Sequence, residues 1–124
     1  MASILVVEDN AMNREVLIRR LKSRGFKTIS ASDGLEAIKL LETENPDLIL
    51  MDLRMPNMDG WTATKEIKNN DKTSHIPIIA LSANTHEDDV SRALDAGCSY
   101  FEAKPLNFKR LIETINKILT QVAS

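Results

Sequence analysis

At 124 residues the chain has the length of one ordinary domain and can bury a sizeable core. Apolar residues make up 43% and charged residues 27%, the balance of a soluble globular protein, and a net charge of −2 leaves no broad basic field to hold nucleic acid or an anionic membrane. No apolar run approaches the ~20 residues of a bilayer span, the N-terminus lacks the basic and apolar regions of a signal peptide, and a single cysteine excludes an internal disulfide; the expected location is cytoplasmic.

Taken in chain order, short apolar runs alternate with helical stripes. The first predicted strand is Ser3–Val7, followed by Glu8 and Asp9. Met12, Val16, Leu17 and Leu21 mark a helix, and Gly25 follows it as a left-handed stop. A second strand spans Lys27–Ala31. Asp33 with Glu36 reads as an N-cap of a helix carrying Leu35, Ile38 and Leu41, which Asn45–Pro46 stops. Leu48–Met51 is apolar throughout, as a doubly buried central strand should be, and it runs straight into Asp52. Trp61, Thr64 and Ile67 mark the third helix. The fourth strand, Ile76–Leu81, ends at Ser82; Thr85 with Asp88 reads as a cap for a helix through Val90, Ala93 and Leu94, closed by Gly97. Cys98 has small or apolar neighbours and reads as a buried inert thiol. A fifth strand, Ser99–Phe101, precedes Lys104. Asn107 then caps a helix with the stripe Phe108, Leu111, Ile112, Ile115, Ile118, Leu119 and Val122. His75 and His86 stand in polar stretches, away from any metal-ligand spacing.

Five strands alternating with five helices predict a parallel α/β sheet covered on both faces, whose ligands bind beyond the carboxyl ends of the strands. Four of those ends are polar: Glu8 and Asp9, Asp52, Ser82, and Lys104. Each has a bland explanation on its own, as a cap, a turn residue or a solvated charge. Together they place three carboxylates, a hydroxyl and an ammonium at one edge. Carboxylates that close raise one another's pKa, and a hard divalent cation such as Mg²⁺ relieves the conflict. Metal, lysine and hydroxyl suit a transferring phosphoryl group, and a remaining carboxylate can serve as its nucleophile.

The motifs "VVEDN", "LILMDLRMPNMDG", "IIALSAN" and "FEAKP", in this order and spacing across essentially the whole chain, resemble the receiver domain of two-component response regulators. The resemblance implies a flavodoxin-like, doubly wound five-stranded parallel sheet of order 2-1-3-4-5, with residues 1–124 as a single receiver domain. It makes Asp52 the phosphoacceptor, taking a phosphoryl group from a phosphohistidine on a sensor histidine kinase or phosphotransfer protein. Asp9 would bind Mg²⁺ directly and Glu8 would act at the metal, with the backbone carbonyl of Arg54 as a further ligand. Lys104 would pair with the phosphoryl group, Ser82 would bond it in the active state, and Phe101 would hold the switch aromatic position. Phe101 lacks a hydroxyl, so switching there is by packing. Arg54 and Asn84, two residues past Asp52 and Ser82, would modulate the lifetime of the phosphate. Lys104–Pro105 is expected to be cis. The downstream protein target would meet the fourth helix, fifth strand and fifth helix.

Rival α/β readings lack their residues. A flavodoxin-type phosphate loop is rich in hydroxyls and glycine, whereas "EDNAMNR" has two acids and no glycine. A haloacid-dehalogenase-type phosphatase normally carries a second Asp where this chain has Arg54, and no Gly-Lys-Ser/Thr nucleotide loop is present. The expectation is thus a signalling protein that catalyses only its own phosphorylation and dephosphorylation. The alternative is a degenerate receiver acting as a phosphorylation-independent adaptor, against which the intact pocket argues. With little chain after the fifth helix, output is expected through protein contacts, or from a longer protein of which this is a part.

Overall fold

The structure, a computed structural model, describes residues 2–83 and 87–123, without the side chains of 122 and 123. Ten elements alternate strictly: β1 (Ser3–Val7), α1 (Ala11–Ser23), β2 (Lys27–Ala31), α2 (Gly34–Leu40), β3 (Leu48–Asp52), α3 (Gly60–Asn69), β4 (Ile78–Ser82), α4 (Glu87–Ala96), β5 (Tyr100–Ala103) and α5 (Phe108–Ala123). All pairings are parallel and the order is β2-β1-β3-β4-β5. This is the expected flavodoxin-like sheet. The predicted Thr85 cap, His86 and the Val122 contribution to the last stripe fall outside the described residues.

Strand alternation divides the core into two layers. Leu5, Val7, Ile49, Met51, Ile78 and Ala80 face α2, α3 and α4, where they meet Ala37, Trp61, Ala63, Ile67 and Ala93. Ile4, Val6, Leu48, Leu50, Ile79 and Leu81 face α1 and α5, meeting Leu17, Leu21, Leu111, Ile112, Ile115 and Ile118. Each large side chain so buried contributes ~1.5–3 kcal/mol. Cys98 is buried in the first layer, and burial pushes its thiol pKa up. His75 is exposed, as its polar surroundings suggested.

The helix ends follow capping chemistry. Asp33 accepts from Glu36 N at 2.8 Å and Asn107 from Arg110 N at 3.0 Å, both as expected. Asn10 and Asp59 cap α1 and α3 in the same way, accepting from Asn13 N and Thr62 N. Gly25 and Gly97 take φ of 90° and 115°, the left-handed conformation their position after a helix required.

Several boundaries differ from expectation. β3 and β4 extend through Asp52 and Ser82, and β5 lies at Tyr100–Ala103, because the ladder continues past the apolar run: Asp52 pairs with Leu81 and Ser82 with Ala103. β4 starts at Ile78, one residue after Pro77, which has no N–H to give a ladder. α2 ends at Leu40, and a turn closed by Glu44 N to Leu40 O at 2.8 Å stops it before Asn45–Pro46 is reached. Met12, Val16, Leu35 and Leu94, placed on buried stripes by spacing, are about half exposed or more. Among the described residues no helix is long and apolar enough to cross a membrane.

Candidate functional site

The carboxyl ends of β1, β3, β4 and β5 bring their polar residues together as the topology requires. Glu8 prolongs the β1–β2 ladder, its N–H donating to Ala31 O at 3.1 Å, and Arg14 Nη1 donates to its carbonyl at 2.7 Å. Its side chain is therefore held inward, 2% exposed, while Asp9 beside it faces solvent. The α1 cap is made by Asn10, which leaves the bland capping role for Glu8 and Asp9 without support. Asp52, at the end of fully buried β3, is 5% exposed. Ser82 is buried at the end of β4, and its carbonyl accepts from Lys104 N at 2.8 Å. The Lys104–Pro105 bond is cis, as expected.

Lys104 Nζ lies 2.7 Å from Glu8 Oε1 and 3.5 Å from Asp52 Oδ2. One carboxylate oxygen each from Glu8, Asp9 and Asp52 fall within 4.8 Å of one another. A single ammonium thus serves two buried carboxylates, with a third, exposed one beside them. Burial, then the hydrogen bond and charge of Glu8, push Asp52 up to about 7, against the opposing pull of Lys104. Burial also raises Glu8, but bonds to Asp52 and Lys104 outweigh it and bring Glu8 below its ordinary value. Lys104 is lowered by burial and raised further by the same carboxylates, so it ends above its usual value. Near neutral pH the pocket holds an ionised Glu8, a charged Lys104 and an Asp52 poised between states. The donor set is all oxygen, without histidine or cysteine, and suits a hard divalent cation.

The family model for the response regulator receiver domain matches residues 4–116. The chain belongs to that family. A curated relative, the polar-differentiation response regulator DivK of Brucella anthropi, is 38% identical over 117 residues, covering 94% of this chain and 95% of its own. Among solved structures, the receiver domain of a sensor histidine kinase from Pseudomonas aeruginosa is 36% identical with a TM-score of 0.90, covering 96% of this chain and 98% of that one; it is described with a magnesium ion coordinated in its active-site cleft. A two-component response regulator from Clostridium difficile has a TM-score of 0.94 at 27% identity and full coverage of both chains. Receiver domains bind Mg²⁺ at an acidic site and signal through histidine kinases or phosphotransfer proteins and downstream targets.

Phe101 is half-buried, opposite Ala80, and packs in the layer shared with α3 and α4. The Arg54 side chain points away from the carboxylates to Asp89 on α4, at 3.2 Å. Asn84 lies outside the described residues. Sequence reading passed over Gly60, where a Cβ would collide with the Asp52 carbonyl. Its place directly after the capping Asp59 was the available signal. It also passed over Asn57, whose φ of 66° suits asparagine and whose amide donates to Asp33 Oδ2 at 2.7 Å, tying the loop after Asp52 to α2.

Proposed function

We propose that residues 1–124 form one receiver domain that takes a phosphoryl group onto Asp52 from the phosphohistidine of a sensor histidine kinase or phosphotransfer protein. The observation that carries this is that two buried carboxylates, Glu8 and Asp52, share the one ammonium of Lys104, with the exposed carboxylate of Asp9 beside them. Glu8, Asp9 and Asp52, with the backbone carbonyl of Arg54, would hold Mg²⁺, which when bound neutralises the carboxylates and the phosphoryl oxygens. An ionised Asp52 oxygen attacks phosphorus in line, the nitrogen–phosphorus bond breaks, and the imidazole leaves with the electron pair. The Lys104 ammonium, which pairs with Glu8 and Asp52 at rest, meets one phosphoryl oxygen. The Ser82 hydroxyl donates to another. Later attack of water on phosphorus returns inorganic phosphate, and Arg54 and Asn84 flank its approach and set the lifetime. These two steps on its own Asp52 are the only catalysis assigned to the chain.

Output follows from the same contacts. A hydrogen bond to a charged group contributes ~1.5–3 kcal/mol, whereas full conversion of a two-state element needs about 5.5 kcal/mol of bias. Ser82 therefore shares the bias with Lys104, and Phe101 repacks into the space that the moving loop opens. The surface of α4, β5 and α5 then presents a changed face to a protein target.

Acetyl phosphate with Mg²⁺ should label the wild-type chain at Asp52, located by mass spectrometry, and Asp52→Asn should remain unlabelled while keeping its fold. Undiminished labelling of that variant refutes the assignment of Asp52, and a wild-type chain that takes no label leaves the adaptor reading in its place.

A further inference from the structure

Trp61 is the sole tryptophan of the sequence and is buried in the first turn of α3. Its neighbour Gly60 donates N–H to Leu53 O at 2.8 Å and packs directly on the Asp52 carbonyl. The indole is thereby fixed to the backbone at Asp52.

α4 is seated on this indole. The Nε1–H donates to Asp89 O at 3.5 Å, and the Arg92 guanidinium lies 4.2 Å from the ring centroid. Arg54 completes the cluster from the loop after β3. Its Nη2 donates to both Asp89 carboxylate oxygens, at 3.2 and 3.3 Å, and its guanidinium lies 5.3 Å from the same ring. The only fully buried residues of α4 are Ala93 and Ala96. Two methyl groups bury little area, so the Asp89, Arg92 and Trp61 contacts carry an unusual share of the seating.

A shallow cleft of about 490 Å³ is lined by Arg54 and Trp61 together with Asp9, the exposed member of the carboxylate group. Two residues of extended chain separate Arg54 from Asp52 by at most about 7 Å. Its side chain is more than half exposed, and an exposed ion pair is weak enough to exchange.

We infer that Arg54 is a positioning residue that couples the state of Asp52 to the seat of α4: its guanidinium holds Asp89 and Trp61 in the resting protein and transfers to the phosphoryl group once that group forms. A phosphoryl group carries more charge than the Asp89 carboxylate and offers paired oxygens to the guanidinium fork. With Arg54 withdrawn, Asp89 loses its cation, and α4 keeps the Trp61 bond to Asp89 O, the Arg92–Trp61 contact, half-buried Val90 and the two alanines. The inference rests on Asp52 being the phosphoacceptor.

The test is amide hydrogen exchange across residues 87–96, together with Trp61 emission, on the full chain with and without Mg²⁺ and beryllofluoride. In resting Arg54→Ala and Asp89→Ala, α4 exchange should rise roughly two- to fivefold, the scale of an exposed pair with a ring contact. Beryllofluoride should then add less than it adds to wild type. The double variant should match Arg54→Ala, because the Arg54–Asp89 contact is already lost in either single and the Arg54–Trp61 contact is lost only with Arg54. Arg54→Lys should restore part of the resting protection, having the charge without the planar fork. Trp61 emission should shift on loading in wild type and start shifted in Arg54→Ala. If wild type loads and the single variants keep resting exchange and emission unchanged, or if their effects add, the coupling is refuted while the phosphoacceptor reading stands. If wild type does not load, both are refuted.

Discussion

Glu102 on β5 and Asp52 on β3 are both less than a tenth exposed, and both lie within ion-pair distance of a cation. Glu102 receives Arg110 Nε at 3.1 Å and the Thr114 hydroxyl at 3.5 Å, both from α5. There one carboxylate meets one guanidinium, and the pair stitches a strand to the helix above it. At Asp52 a single ammonium is shared with Glu8, and Asp9 adds a third carboxylate. Burial of charge is common to both regions; only the second is out of balance. The imbalance, rather than the burial, is what supports the proposal of a further cation and a phosphoryl group at this place.

Removing the cation from each region gives the widest contrast. Lys104→Met should lower stability by about 3 kcal/mol, because the buried carboxylates Glu8 and Asp52 are left without their ammonium. Arg110→Met should cost about 1 kcal/mol, since that guanidinium is itself half exposed. Urea unfolding without divalent ions measures both, and equal losses would erase the distinction. Adding a cation sharpens it next. Mg²⁺ at a hundred times its Kd should stabilise the fold by ~2.7 kcal/mol, with the gain retained in Arg110→Met and largely lost in Asp9→Ala. A thermal midpoint indifferent to Mg²⁺ would count against a metal site.

A further effect has a pH signature. Asp52 is pushed up to about 7 in the folded protein, above its value in the unfolded chain. The folded state therefore holds a proton that the unfolded state has released, and stability declines as pH rises through that window. In chelator, Asp52→Asn should match wild type near pH 4 and exceed it by about 1–3 kcal/mol at pH 8, the lowered Glu8 offsetting part of the gain. A variant no more stable than wild type at pH 8 would show that the folded protein does not strain to ionise Asp52.

The sheet and the site were legible in the sequence to different depths. β1 and β2 begin and end where the apolar pattern predicts. β3 and β4 run further because a backbone ladder is indifferent to the polarity of Asp52 and Ser82. The same fact places those side chains in the sheet itself rather than on loops, which holds their backbones firmly. Helical spacing identified the helices but overestimated their buried faces at Met12, Val16, Leu35 and Leu94, because spacing fixes a face and not how far the sheet extends beneath it. The polar residues at four strand ends could be named from sequence since a parallel sheet must gather them. What stayed hidden were Gly60 against Asp52, signalled only by its place after the capping Asp59, and Arg54 with Arg92 around Trp61, which no local pattern announces.

Cys98 has a practical consequence of a different kind. It is the sole thiol, buried, with its sulfur 3.8 Å from Thr64 Oγ1 and its pKa raised chiefly by burial. A thiol so placed offers little thiolate to a maleimide or methanethiosulfonate reagent. A cysteine introduced at an exposed position such as Leu94 would therefore take a spin label or dye selectively, with the native residue left in place. Distances between such a label on α4 and a second at Met12 on α1 would follow the helix directly in an otherwise unaltered chain.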